Sequence, residues 1–165
     1  MTIKFILNGE DVTVRASANV RLVDILREKF SLLGAKEGCL CGKCGACSVI
    51  FNGYVSLACL IPAFRAEASE IITIEGFSQT LEYQDIATGL ELTNNAACNF
   101  CRAGKILYIE SLFKQFGQPS DRLFREEIER GFGGVMCRCA SADDFTEAVN
   151  KIAEIRQRRL YGRYT

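Results

Sequence analysis

The sequence predicts an α+β chain built as a small sheet domain over residues 1–76 followed by a helical bundle over residues 77–165. Three observations carry this. Apolar residues alternate in strand fashion up to about Gly76, they recur at helical spacing from about Phe77 onward, and nine cysteines fall into two groups, one in each part.

The sheet half opens with "TIKFILNGEDVTVRA", two alternating runs around an Asn8–Gly9 turn, a hairpin signal because both turn residues tolerate positive φ. "NVRLVDILREKF" places Leu22, Ile25, Leu26 and Phe30 on one helical face, with Asn19 as the expected cap. After a cysteine-rich loop, "SVIFNGYVSLACL" reads as a second hairpin turning at Asn52–Gly53, and "SEIITIEG" as a short closing strand. In the helical half, "LEYQDIATGLE" is amphipathic. "AGKILYIESLFKQFG" aligns Ile106, Ile109 and Phe113 with Leu112 and Phe116 beside them, before Gly117 and Pro119 stop the helix. "PSDRLFREEIERG" starts from Ser120 as cap, and "SADDFTEAVNKIAEIRQRRL" puts Phe145, Val149 and Ile152 on one face. Four helices with short connections suggest a small four-helix bundle. The basic stretch "RQRRLYGRYT" reads as a solvated helix end whose charge suits the helix dipole.

Composition narrows the function. Lys+Arg and Asp+Glu both number 20, so the chain lacks the basic excess of a nucleic-acid partner. The N-terminal stretch carries charges throughout and does not read as a secretory signal. "VSLACLIPAF", the longest apolar run, is too short to span a bilayer, so a cytoplasmic protein is expected. Reduced surroundings favour metal binding over disulfides for the cysteines. With no histidine in the chain, Rieske centres, Cys/His zinc fingers and Ser–His or Cys–His catalysis are excluded.

The stretch "GCLCGKCGACSVI" holds Cys39, Cys41, Cys44 and Cys47. Cys41, Cys44 and Cys47 spell C-x2-C-x2-C, the start of a four-iron motif, but Phe51 stands where that motif needs its next cysteine. Cys39, Cys44 and Cys47 spell C-x4-C-x2-C, the plant-type two-iron spacing, and Cys59 supplies the distant fourth ligand. Cys41 is then a spare thiol. Gly38, Gly42 and Gly45 let the backbone turn sharply and bring amides toward sulfur. The second group, Cys98 and Cys101 with Cys137 and Cys139, pairs C-x2-C with C-x-C just ahead of predicted helices, whose N-termini favour thiolates. Two all-thiolate zinc sites are the competing reading, but neither C-x4-C-x2-C nor C-x-C is a zinc-ribbon pattern.

At these residues the chain resembles the small iron–sulfur subunit of the molybdenum hydroxylases, the xanthine dehydrogenase family. "GAKEGCLCGKCGACSVIFNG" matches the family's first cluster loop, "SLACL" its fourth cysteine and "ITIEG" the end of its first domain. "CNFC" and "GGVMCRC" stand at its second cluster. The resemblance implies a β-grasp, plant-type ferredoxin domain followed by a four-helix bundle, each holding a 2Fe-2S cluster. It implies electron relay from a molybdopterin centre in a large subunit toward FAD in a medium subunit, with the bundle's cluster nearest the pterin. The chain departs from the family around that second cluster: Ala97 replaces a glutamine, Arg102 and Ala103 replace Thr-Pro, and Val135, Met136, Ala140 and Ser141 alter the second motif.

These readings converge on an electron-transfer subunit of an oxidoreductase, with cluster ligands and no acid–base or nucleophile constellation of its own. Asp143, Asp144 and the "REEIER" charges read as solvated. A free-standing two-cluster ferredoxin shuttle is the alternative, although the balanced charge offers no acidic docking face. A zinc-stapled interaction module is the third.

Overall fold

The computed structural model describes residues 1–95, 98–117, 126, 128 and 141–162. Strands β1 (Thr2–Leu7) and β2 (Glu10–Arg15) pair antiparallel around Asn8 and Gly9, whose φ values of 53° and 88° are those a tight hairpin turn requires. Strands β3 (Ser48–Phe51) and β4 (Tyr54–Leu57) do the same around Asn52 and Gly53, at 49° and 85°. Strand β5 (Glu70–Ile72) enters between the hairpins, parallel to β1 and antiparallel to β3. The five-stranded order is β2-β1-β5-β3-β4.

Helix α1 (Leu22–Phe30) buries Leu22, Val23, Ile25 and Leu26 against this sheet. Its cap is Arg21 rather than the expected Asn19, and no side chain caps it. A bridge from Arg21 to Pro62 and the Leu22 N–H bonded to the Ile61 carbonyl at 2.7 Å fix where the helix begins. The strand expected through "SEIITIEG" also ends early. The Thr73 N–H donates to Asn8 Oδ1 at 2.8 Å, which takes the chain off the ladder, and Ile74–Phe77 form the short helix α2.

Helices α3 (Leu81–Leu92), α4 (Arg102–Phe116) and α5 (Ala142–Tyr161) follow. The hydroxyl of Thr80 caps α3 by accepting from the Tyr83 N–H. At α5, Ser141 and Asp144 form a reciprocal capping box, and those bonds hold the Asp144 carboxyl below its ordinary pKa. Gly89 lets α3 and α5 meet closely, since a Cβ there would overlap Ile152. The helix expected over "PSDRLFREEIERG" lies outside the described residues except for 126 and 128, and Ile128 is buried.

Two apolar cores result. Ile3, Phe5, Leu22, Leu26, Val49 and Ile71 build the first, on the α1 face of the sheet. Ile86, Leu90, Ile106, Ile109, Phe145 and Ile152 build the second, among the helices. Strand β3 serves both: Val49 points into the first and Ile50 into the second, as alternation along a strand dictates. Helices thus cover both faces of the sheet at its β3 side, and the structure is a mixed α+β fold.

The basic stretch at the end of α5 is not simply solvated. Arg156 is 8% exposed and inserts between α3 and α4. Its Nη2 donates to Glu110 Oε2 at 2.8 Å, its Nε lies 3.4 Å from Asp85 Oδ2, and its guanidinium stacks 4.5 Å from the Phe113 ring centre. Arg159 forks onto the same Asp85, at 2.9 and 2.7 Å. A buried charge left without its partner is costly. Arg156→Met is therefore expected to destabilise the protein by about 3–5 kcal/mol in denaturant unfolding. A loss below about 1 kcal/mol would put the pair in the class of surface ion pairs instead.

Candidate metal centre

Cys39, Cys41 and Cys44 hang on a loop whose neck is closed by the Lys36 N–H bonded to the Ala46 carbonyl at 2.9 Å, and Cys47 follows just beyond it. Arg27, projecting from α1, holds the approach to it, donating to Glu37 Oε1 at 3.0 Å and to the carbonyls of Leu33 and Ala35 at 3.3 and 3.0 Å. Within the loop, Leu40, Gly42 and Gly45 all take positive φ, at 53°, 79° and 68°. These reversals turn amides inward. The Lys43 and Cys44 N–H groups donate to Cys39 Sγ at 3.1 and 3.3 Å, and the Cys39 N–H donates to Cys44 Sγ at 3.4 Å.

The thiols respond to these donors. Backbone N–H groups of Cys41 and Lys43 bring the Cys39 thiol down to about 6, toward the thiolate a metal needs. Burial pushes the Cys47 thiol up to about 12, and Cys59, which stands on a single helical turn after β4 (Ala58–Leu60), lies near it. Cys41 is exposed, and its thiol, raised by a hydrogen bond to Cys39, lies at the rim.

Among the described residues, no three His, Cys, Asp or Glu side chains converge on one point to hold a single ion. Backbone amides tie Cys39 and Cys44 to each other's sulfurs, and Cys47 lies near Cys59. Four thiols so placed could hold a two-iron cluster, in which each iron takes two protein ligands. Gly38 completes the fit: a Cβ there would lie 2.7 Å from Cys44 Sγ.

The second group begins at the N-terminus of α4. Cys101 is the cap residue and is buried, while Cys98 is exposed, and their sulfurs are 3.6 Å apart. Cys137, Cys139 and Ala97 lie outside the described residues. The start of α4 is pressed onto the first cysteine loop. A Cβ on Gly104 would collide with the Gly45 carbonyl oxygen, which also accepts from the Ser48 hydroxyl at 2.7 Å. The edge of the Phe100 ring approaches Gly38 on the other side, 3.4 Å from where its Cβ would be. Phe100 therefore spans from the Cys98–Cys101 turn to the backbone beside Cys44.

Sequence reasoning singles out the described cysteines and the loop glycines. It missed Arg27, Phe100 and Gly104. Of these only Gly104 left a signal, as a glycine inside an otherwise apolar helical stripe. A groove of ≈ 500 Å³ lies between sheet and helices, lined by residues that include Ile50, Glu82, Glu110 and Lys114, but no cysteine lines it.

Residues 73–150 match the 2Fe-2S binding domain family. The nicotinate dehydrogenase small FeS subunit of Eubacterium barkeri is 36% identical over 154 residues, covering 93% of this chain and 96% of its own length. The xanthine dehydrogenase iron-sulfur-binding subunit of Escherichia coli O157:H7 is 33% identical over 140 residues, covering 84% and 86%. Among solved structures, quinoline 2-oxidoreductase from Pseudomonas putida 86 superimposes with a TM-score of 0.84 at 29% identity, covering 98% of this chain and 97% of the matched one.

Three substitutions separate the loop's roles. Cys41→Ser is expected to leave the loop's iron content unchanged, because the plant-type spacing needs no fifth thiol and Cys41 is exposed, whereas Cys44→Ser should abolish it. Gly38→Ala should also lower occupancy, since the added methyl displaces Cys44 Sγ. Iron analysis with EPR of the reduced protein reads all three, and loss of the plant-type signal in Cys41→Ser would overturn the ligand assignment.

Proposed function

The chain belongs to the small iron–sulfur subunits of the molybdenum hydroxylase, or xanthine dehydrogenase, family, and on that premise we propose that it relays electrons from a molybdopterin site in a large subunit toward FAD in a medium subunit. Residues 1–76 form a β-grasp ferredoxin domain in this reading and residues 77–165 a four-helix bundle. Cys39, Cys44, Cys47 and Cys59 hold one 2Fe-2S cluster. Cys98, Cys101, Cys137 and Cys139 hold the other, nearer the pterin. Neither group includes a catalytic residue. When bound, such clusters supply transfer of single electrons, which suits a wire between a two-electron oxidation and its acceptor.

What this chain's residues do follows from the geometry. Inward amides at Lys43 and Cys44 stabilise negative charge on sulfur. Burial of Cys47, Cys59 and Cys101 keeps water from much of the ligand set. The observation that carries the relay is the seating of α4 on the loop through Gly104 and Gly45, which holds the Cys98–Cys101 turn beside the first group of thiols. Among the described residues no helix is long and apolar enough to cross a membrane. The substrates in the relatives' names belong to those proteins, and Ala97, where the family carries glutamine, marks this chain as serving a partner that holds its pterin by other contacts.

Native protein is expected to contain about four irons and about four labile sulfides per chain and to elute on size exclusion with larger chains. Zinc in place of iron, or a four-iron EPR signal, would overturn the cluster assignment. Elution of a fully loaded chain by itself would favour the diffusing shuttle.

A further inference from the structure

Single exposed apolar side chains are ordinary on a protein surface, but a contiguous set of them over a hollow marks a binding face. Leu60, Ile61, Pro62 and Phe64 form such a set, on the stretch that follows Cys59. Leu60 is 59% exposed and Phe64 51%, and with Phe51 and Arg65 the set lines a hollow of ≈ 400 Å³. Leu60 leans over the first cysteine loop, where a Cβ on Gly42 would lie 2.7 Å from Leu60 Cδ1. The backbone beneath the patch is fixed. The Leu22 N–H donates to the Ile61 carbonyl at 2.7 Å, and the Ala63 and Phe64 N–H groups donate to the carbonyls of Val20 and Ala18 at 2.7 and 3.3 Å. A face held this way needs little ordering when something binds to it.

Two further observations say what covers it. The rim is basic: Arg65 lines the hollow, Arg21 stands across a bridge from Pro62, and Lys43 follows Gly42, and all three are exposed. Among the described residues none of the three pairs with a carboxylate, and no carboxylate lines the hollow. Glu67, two residues from Arg65, is taken up by the Lys4 N–H at 2.8 Å. The patch also lies on the part of the loop that the helices leave open. Helix α4 is pressed onto the loop at Gly45, and Phe100 approaches it at Gly38.

We infer that this patch seats the electron-accepting partner, a flavin-bearing chain, and that the partner meets it with an apolar side chain flanked by carboxylates. The inference rests on the relay proposed above, in which the first group of thiols is the one farther from the pterin. The apolar side chain fills the hollow and excludes water beside Leu60, the neighbour of Cys59. The carboxylates meet Arg21, Lys43 and Arg65 and orient the approach.

The test uses the native complex purified through this chain, as wild type, Phe64→Ser, Arg65→Glu and, on the strand at the opposite edge of the sheet, Arg15→Glu. Flavin, molybdenum and iron per chain are measured in each, together with the affinity of the isolated flavin-bearing chain at low and high salt. Phe64→Ser and Arg65→Glu are each expected to weaken that affinity at least about tenfold, with molybdenum and iron unchanged and Arg15→Glu like wild type. Added salt should weaken wild type more than Arg65→Glu. Flavin retained at the wild-type ratio in both variants would overturn the inference. So would loss of molybdenum in place of flavin, or loss of iron, which would make these residues structural. A doubled mass of wild type that Phe64→Ser reverts would give the patch to a second copy of this chain and overturn the inference as well. Failure of the relay reading shows in the wild type itself, which would carry neither flavin nor molybdenum.

Discussion

The close approach of Gly104 to the Gly45 carbonyl is the constraint on which the arrangement of the two halves depends. Any side chain at 104 would lift α4 off the cysteine loop, and with it the Cys98–Cys101 turn. Glycine inside a helix costs about 1 kcal/mol relative to alanine, and here that cost is offset by contact between two otherwise separate cores. Strand β3 reinforces the join from within the sheet, with Val49 facing one core and Ile50 the other. The chain is two units by sequence pattern, yet they share a strand and a backbone contact at the loop.

Charge is distributed in the helical half with the same economy. Asp85, Glu110, Lys105 and Arg156 are all buried. The acids and Arg156 meet in a network that ties α3, α4 and α5 together away from the cysteines. Ionic pairs of this kind add little net stability over apolar packing, but they penalise any register in which the partners are separated. The helices are thereby held to one alignment, and that alignment brings the first turns of α4 and α5 together around Lys105 and Phe145.

Local rules in the sequence were enough for the hairpins at Asn8–Gly9 and Asn52–Gly53, the positive φ of Gly42 and Gly45, and the buried face of α5. Each depends on residues close together in the chain. What stayed hidden depends on distant ones. Arg156 reads as a solvated charge until Glu110, 46 residues away, is placed beside it. The cap of α1 falls at Arg21 because Pro62 and Ile61 bind there, not because of any residue near Asn19. Spacing alone singles out Cys41 as the spare thiol, and in the structure it is the exposed one of the four thiols in its stretch. The ligand role proposed for the cysteines rests on spacing and family, and Cys137 and Cys139 lie outside the described residues.

The parallel pairing of β1 with β5 sets the order in which the molecule can assemble. Leu7 faces Ile71 across that pairing, so everything between them, the first cysteine loop included, belongs to one long crossover. β5 is the central strand of the sheet and the last of its five to be synthesised. The neck of the loop leads directly into β3, which has no inner neighbour until β5 arrives. Non-local closures of this sort are entropically expensive and slow. The spacing of the first group of thiols consequently depends on contacts distant in sequence, and α4, which buttresses their loop, comes later still in the chain. Metal insertion and completion of the fold are then coupled steps, because a site that exists only in the folded chain turns binding energy into folding energy.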